Sequence, residues 1–505
     1  MRLGVDFGTT RTTVAVVDRG NYPLFAFTDQ DDDAHEYLPS IAALDGGELV
    51  FGFEASRLAL SGAPHIRSFK RSLADPDVTV RSTVRIGDRE MPLIDLVTEY
   101  LAYVGRSVLA SRPGKGEALE AVVGVPAHAH SAQRFLTLEA FRRAGYAVTA
   151  MLNEPSAAGF EYTHRHAKTL NSRRTRVLVY DLGGGTFDAS LVAVDGKSHE
   201  VLASHGNNRL GGDDFDAVLA GCAAQIGGTS REKLGRVGWQ RLLDAARVAK
   251  ESLYPQSRFA TLEVDGTAIA VPVRRFYEAV APLVESTFDT LEALMEHGRD
   301  GRATIAHDVA GLYVVGGGSE LPIVARMLRN RYGRRVHRSP YTAGSTAIGL
   351  ALAADPEAGY SLADQLSRGV GVFREGESGT LVTFDPLLSP ELRVSPGKAV
   401  SLTRRYRAAH NLGRYRFVEY TRTEDGVPRG TVVPCGQVSF PFDPALRGAG
   451  VDLDGVDVRR TAEGALIEEN YTVDAHGIVE VSIRDLDTGY ATARSLGARG
   501  LGRSE

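Results

Sequence analysis

The rhythm of hydrophobic and polar positions changes once along the chain, near residue 355. Before that point, short apolar runs alternate with stretches whose apolar residues recur at helical spacing. The runs at 3–5, 121–125, 177–180 and 310–315 predict buried strands, and 93–109 and 274–295 predict amphipathic helices. Residues 343–354 predict a packed terminal helix. Asp355-Pro356 ends it, because proline cannot continue a helix and restricts the residue before it. From about Gly369, short alternating runs take over at 415–420, 431–433 and 479–483. Turn signals separate them at Asp425-Gly426, Asp454-Gly455, His476-Gly477 and Thr488-Gly489. That spacing predicts an antiparallel sandwich, and no long amphipathic helix follows it. The expected organisation is an α/β region over 1–355, a connector over 356–368, an all-β sandwich over 369–497 and a frayed tail over 498–505.

Two glycine-rich segments with the same grammar lie inside the α/β region: Asp6-Phe7-Gly8-Thr9-Thr10 and Asp181-Leu182-Gly183-Gly184-Gly185-Thr186. Each follows an apolar run, and each precedes an alternating strand ending in Val-Asp, at Asp18 and at Asp195. Strand, Gly/Thr turn, strand predicts a hairpin whose tip exposes backbone N–H groups to an anion. Glycine lets the backbone approach phosphate oxygens without a Cβ in the way. A carboxylate at the mouth of each turn can hold Mg²⁺ through its waters, since hard cations prefer oxygen ligands. One such hairpin would be an ordinary turn. Two facing each other would grip a nucleoside triphosphate.

Composition narrows the picture. With 505 residues, 43% hydrophobic and 24% charged, the chain reads as an ordinary globular protein of several folding units. A net charge of −5 gives no basic field for nucleic acid. No apolar stretch is long enough to span a bilayer and no signal peptide is evident, so a cytoplasmic protein without a membrane partner is expected. Cys222 and Cys435 fit no metal or disulfide framework and are expected to be buried small hydrophobes. His128-x-His130 and His164-x-His166 lack accompanying metal ligands. Only seven of the 58 basic residues are lysine, which gives a lysine at a meaningful spacing added weight. Other nucleotide and hydrolase grammars are missing: no Gly-x4-Gly-Lys-Ser/Thr loop, no Gly-x-Gly-x-x-Gly, no Gly-x-Ser-x-Gly.

An ordered set of segments then carries a resemblance. It comprises residues 4–10; Phe69-Lys70-Arg71; Val125-Pro126 followed by Asn153-Glu154-Pro155-Ser156-Ala157-Ala158; Asp181 through Asp188; Leu210-Gly211-Gly212-Asp213-Asp214-Phe215-Asp216; and Gly316-Gly317-Gly318-Ser319. This set resembles the seventy-kilodalton heat-shock chaperones of the DnaK type, well over the first 355 residues and less over the β-rich remainder. The resemblance implies an actin-like ATPase fold of two RNase-H-like lobes followed by a sandwich, with ATP and Mg²⁺ as cofactors. It implies an unfolded polypeptide or protein client as partner, with J-domain and nucleotide-exchange proteins as further partners. It also assigns roles. Asp6 and Asp181 would orient the metal's waters, and amides around Gly8, Thr9, Thr10, Gly183, Gly184, Gly185 and Thr186 would cradle phosphates. Lys70, Glu154 and Thr186 would face the γ-phosphate and attacking water. Gly211, Gly212, Lys250 and Gly316 to Gly318 would border the nucleotide. Pro126 and Arg134 would belong to a domain switch.

The match departs from the family at the base. Arg247 falls where a glutamate is usual, Glu251 and Glu320 where basic residues stack on adenine, and Tyr254 where a serine is usual. Tyr254, one helical turn from Lys250, is expected to replace part of the lost stacking. The connector, with Leu362, Asp364 and Leu366, is poorer in leucine than the family's. Two alternatives stay open at this point: an actin-fold small-molecule kinase, and a nucleotide-binding scaffold with little turnover.

Overall fold

The computed structural model describes residues 1–111, 118–298, 301–366, 368–377, 381–394, 399–448 and 450–498. Two α/β units repeat one strand arrangement. In the first, Leu119–Val125 lies parallel to Arg2–Phe7 on one side and to Tyr146–Asn153 on the other, and Arg2–Phe7 turns back antiparallel onto Arg11–Val16. In the second, Val309–Val315 lies parallel to Arg176–Leu182 and Val336–Arg338, and Arg176–Leu182 turns back onto Phe187–Asp195. Parallel strands covered on both faces read as unbroken apolar runs. Val309–Val315 is accordingly buried at every residue. The hairpins read from sequence are thus the equivalent inner pairs of a five-stranded and a seven-stranded sheet.

The expected helices form as Leu93–Ala110, Val273–Glu292 and Ser345–Ala354. Ser345–Ala354 is buried nearly throughout and lies between the units, packing with Ala15 and Val122 of one and Phe160 and Val201 of the other. It crosses Glu154–His166 so closely that a Cβ at Gly349 would sit 1.8 Å from the Ala157 carbonyl oxygen. Glycine is required there by backbone contact. This crossing sets the position of Glu154, the first residue of its helix.

The connector is more ordered than its composition indicates. Ser361–Gln365 adds to the seven-stranded sheet, parallel to Ser198–Asn207, and Leu362 is 3% exposed against Phe160 and Val201. Arg393–Val394 of the β-rich region pairs with that strand in turn, and Arg393 meets Glu200 at 2.5 Å. The docked strand therefore ties the β-rich region to the second unit.

The β-rich region forms two four-stranded antiparallel sheets. One holds Gly369–Gly376, Leu381–Leu388, Leu412–Tyr420 and Val433–Pro441; the other holds Val400–Arg407, Leu466–Val473, Val479–Asp485 and Ala491–Ser495. The apolar run at 431–433 only begins a strand, which starts at Val433 and runs to Pro441. Inside this sandwich an ion pair replaces apolar contact. Arg374 meets Glu469 at 2.5 Å, and Tyr406, Tyr415 and Tyr471 surround them. Of the expected tail, residues 499–505 lie outside the described residues. Both cysteines are buried and free.

Candidate functional site

The two hairpin tips meet. A Cβ at Gly184 would lie 2.3 Å from Thr10 Cγ2, and one at Gly185 would lie 2.7 Å from Thr9 Cγ2. Any side chain there would separate the tips, so the glycines are required by close approach between units. Gly183 N–H donates to the Thr186 carbonyl at 2.9 Å, closing the second turn. Gly8 sits in the first tip, against the Arg11 carbonyl. The segment at Gly211-Gly212 lies on the second tip: Gly212 N–H donates to the Gly183 carbonyl at 3.0 Å and Asp213 N–H to the Gly184 carbonyl at 2.8 Å. Lys250 secures it, donating to the Gly212 carbonyl at 2.8 Å and pairing with Asp216 at 2.7 Å. Gly316 and Gly318 border the same turn, next to Asp181 and the Gly183 carbonyl, with Gly317 between them and open space on its Cβ side.

Below the tips, carboxyls gather around one cation. Lys70 is 4% exposed and its Nζ donates to Glu154 Oε1 at 2.8 Å. Asp6, Asp181 and Asp188 share the electrostatic environment of this pair. Burial, then Glu154, pushes Asp6 up to about 7 against the pull of Lys70. Burial, Glu154, Asp6 and Asp188 hold Asp181 well above the carboxylate range. Burial and Glu154 push Asp188 up to about 8. Mutually repelling carboxyls in a dry pocket favour a divalent cation as counter-charge. Among the described residues, no group of three or more His, Cys, Asp or Glu side chains converges for direct metal ligation. Asp6 and Asp181, oxygen donors at the feet of the two hairpins, fit a hard cation.

Asp188 went unassigned in the sequence reading. Hairpin register would have found it, because Asp188 faces Asp181 directly across the second hairpin.

Comparison with known proteins agrees with this geometry. The profile of the Hsp70 protein family matches residues 109–366. A protein described as chaperone protein HscA homolog from Pseudomonas fluorescens is 32% identical over 515 residues, 97% of this chain and 76% of its own length. Proteins described as chaperone protein HscA from Cronobacter sakazakii and Escherichia coli are 34% and 35% identical over 70% of this chain. The aligned region spans 57% of the length of each of those two. The chain belongs to the Hsp70 family.

Hsp70 proteins are ATP-dependent chaperones that join an actin-like ATPase to a β-sandwich, and the mixed α/β and all-β regions follow that plan in outline. Arg11, directly after the first tip, reaches across to Glu251 at 2.6 Å and Glu320 at 3.8 Å, and lies over the Tyr37 ring at 4.3 Å. Arg247 adds a bond to Glu251 at 3.3 Å and another to the Thr10 carbonyl at 3.0 Å. Burial alone would raise the Glu251 pKa, but Arg11, Arg247 and Lys250 hold it below its ordinary value. Glu251 and Glu320 thus clasp a basic residue of the opposite unit. Arg11 and Tyr37 were missed in sequence; paired acid-for-base replacements were the available signal.

Tyr254 needs a correction. Helix Arg231–Glu251 ends before it, so Tyr254 does not share a helical face with Lys250, and its side chain is 61% exposed. The expectation of same-face stacking assumed one more turn of helix than Ser252 and the following loop allow.

Arg134 and Ser131 link the first unit to the sandwich. Arg134 donates to Asn153 Oδ1 at 2.5 Å, next to Glu154, and to the His476 carbonyl in the sandwich at 3.3 Å. Ser131 N–H and Oγ donate to Glu419 of the sandwich at 3.0 and 2.6 Å. His130 Nδ1 accepts from the Gln133 N–H at 3.2 Å and caps helix Ser131–Arg143.

Proposed function

We propose that this protein hydrolyses ATP between two RNase-H-like lobes of an actin-like domain (residues 1–355) and couples nucleotide state to the grip of its sandwich (369–497) on unfolded polypeptide or a protein partner. The observation that carries this reading is the meeting of two glycine tips from equivalent hairpins above the Lys70–Glu154 pair. Their amides, with those near Thr186, cradle the phosphates. Lys70 offsets charge developing on the γ-phosphate, and Glu154 orients the attacking water. Phosphoryl transfer needs positioning and charge neutralisation more than covalent help. A bound Mg²⁺, held through water by Asp6 and Asp181, would neutralise phosphate charge. Gly211, Gly212, Lys250 and the Gly316 to Gly318 turn support the second tip.

Coupling runs through the docked connector strand (356–368 contains it) and through Arg134. A J-domain partner and a nucleotide-exchange partner fit this plan, and a reducing cytoplasm fits the two free thiols. The test is phosphate release by the full chain with and without unfolded polypeptide. Polypeptide is expected to stimulate release from wild type and not from Leu362→Asp, which places a charge in the strand's buried contact. Equal stimulation of both removes the connector from the coupling, and glycerol- or hexose-dependent ADP formation would replace the chaperone reading with a kinase.

One observation favours a second reading, a nucleotide-binding scaffold with slow turnover. Arg11, Glu251 and Glu320 bolt the units together across the cleft entrance. Arg11→Ala is expected to speed nucleotide release by ~10-fold, the effect of losing about one charge-assisted contact. Stopped-flow displacement of a fluorescent ATP analogue measures it, and an unchanged off-rate dismisses the bolt.

A further inference from the structure

The junction of both α/β units with the sandwich holds a cavity of about 1360 Å³. Arg368, the residue before strand Gly369–Gly376, lines it while only 6% exposed. Its Nε donates to the His128 carbonyl at 3.2 Å. Its Nη1 is buried and makes no hydrogen bond, and His128 Nε2, on the same cavity, is likewise buried and unbonded. Arginine stays charged at any physiological pH, and a buried charge is normally paired.

Among the described residues, no acid of the cavity wall pairs with Arg368. Asp214 takes Arg71 and the Gly211 N–H, and Asp75 accepts from the Asp77 N–H. Glu419, approaching from the sandwich, accepts from Ser131. Arg209 and Arg422 add positive charge to the same wall. Burial, then Arg368 and His205, press His128 down to about 4, so its ring is neutral at physiological pH.

We propose that this cavity is a phosphate-binding site, in which Arg368 Nη1 donates to a phosphate group, free or carried on a small metabolite. Arginine's planar fork matches phosphate oxygens, and the cavity is roomy enough for a carrier. Arg368 stands at the start of the sandwich, and the cavity's other walls include His128 of the first unit and His205 of the second. Phosphate would then hold the sandwich docked on both units. The site does not depend on ATP hydrolysis.

Calorimetric titration of inorganic phosphate, and separately of ribose 5-phosphate, into the full chain tests this, with chloride at matched ionic strength as control. ADP is kept at saturating concentration because the hairpin tips also attract phosphate. Saturable binding at millimolar concentration or below is expected, weakened by at least about 10-fold in Arg368→Gln, the loss of one charge-assisted pair. Arg368→Lys, which keeps the charge without the fork, is expected to fall between. Tighter binding of ribose 5-phosphate assigns a carrier, and tighter binding of inorganic phosphate assigns the free anion. Hydrogen exchange in Gly369–Gly376 is expected to slow on phosphate addition in wild type only. Absence of saturable binding by either ligand overturns the proposal. So does equal affinity in Arg368→Gln or Arg368→Lys, whichever is folded by circular dichroism. A chain that fails to bind ADP would refute the ATPase reading while leaving the Arg368 dependence decisive here.

Discussion

Lys70→Ala is expected to slow ATP hydrolysis by ~10²–10³-fold, the usual loss when a preorganised transition-state charge is removed. Lys70 lowers the pKa of Asp6, Asp181 and Asp188 alike. Its ammonium is held in place by Glu154 at 2.8 Å and shielded from water by the ring of Phe7 at 5.5 Å. Alanine would remove the cation that faces developing phosphate charge and free Glu154 from its orienting bond. Single-turnover phosphate release on preloaded protein isolates the chemical step. A wild-type rate there takes Lys70 out of the chemistry.

The second large effect concerns the sandwich. Glu469→Leu is expected to cost about 3–5 kcal/mol of local stability, because it leaves the Arg374 guanidinium buried without its main partner. Glu469 is 0% exposed and accepts from Arg374, Tyr406 and Tyr471. Asp385, 3.1 Å from Arg374, keeps the loss toward the lower end. Burial alone would raise the Glu469 pKa, but Arg374 and the tyrosine hydroxyls hold it below its ordinary value of 4.5. A carboxylate depressed in this way stabilises fully above its unfolded pKa, and that stabilisation fades as pH falls through the folded value. Hydrogen exchange in Leu466–Val473 and Gly369–Gly376 reads both effects. Arg374→Leu combined with Glu469→Leu is expected to recover most of the loss, since an apolar pair of similar volume can replace a buried ion pair. Full protection in Glu469→Leu alone would show that the pair contributes nothing.

Local rhythm made the α/β strands and helices legible, because their patterns come from burial on one face or two. The hairpins were legible as a repeat, since glycine and threonine at matched positions have few other uses. What escaped came from distance. Arg11 finds Glu251 and Glu320 only once the units close on each other. The connector's two leucines gave little sign of a docked strand, because a parallel edge gains order from backbone pairing with Ser198–Asn207. Arg374 meets Glu469 of the opposite sheet, a pairing that no local pattern encodes. Tyr254 failed through a helix end misplaced by one turn, the least legible feature of any helix.

A crystal structure of the chain with Mg²⁺ and a slowly hydrolysed ATP analogue addresses the clamp itself. The phosphates should lie between residues 8–10 and 183–186, with the terminal one toward Lys70 and Glu154. An analogue seated away from both aspartate-led turns, or no occupancy at millimolar concentration, would contradict the account.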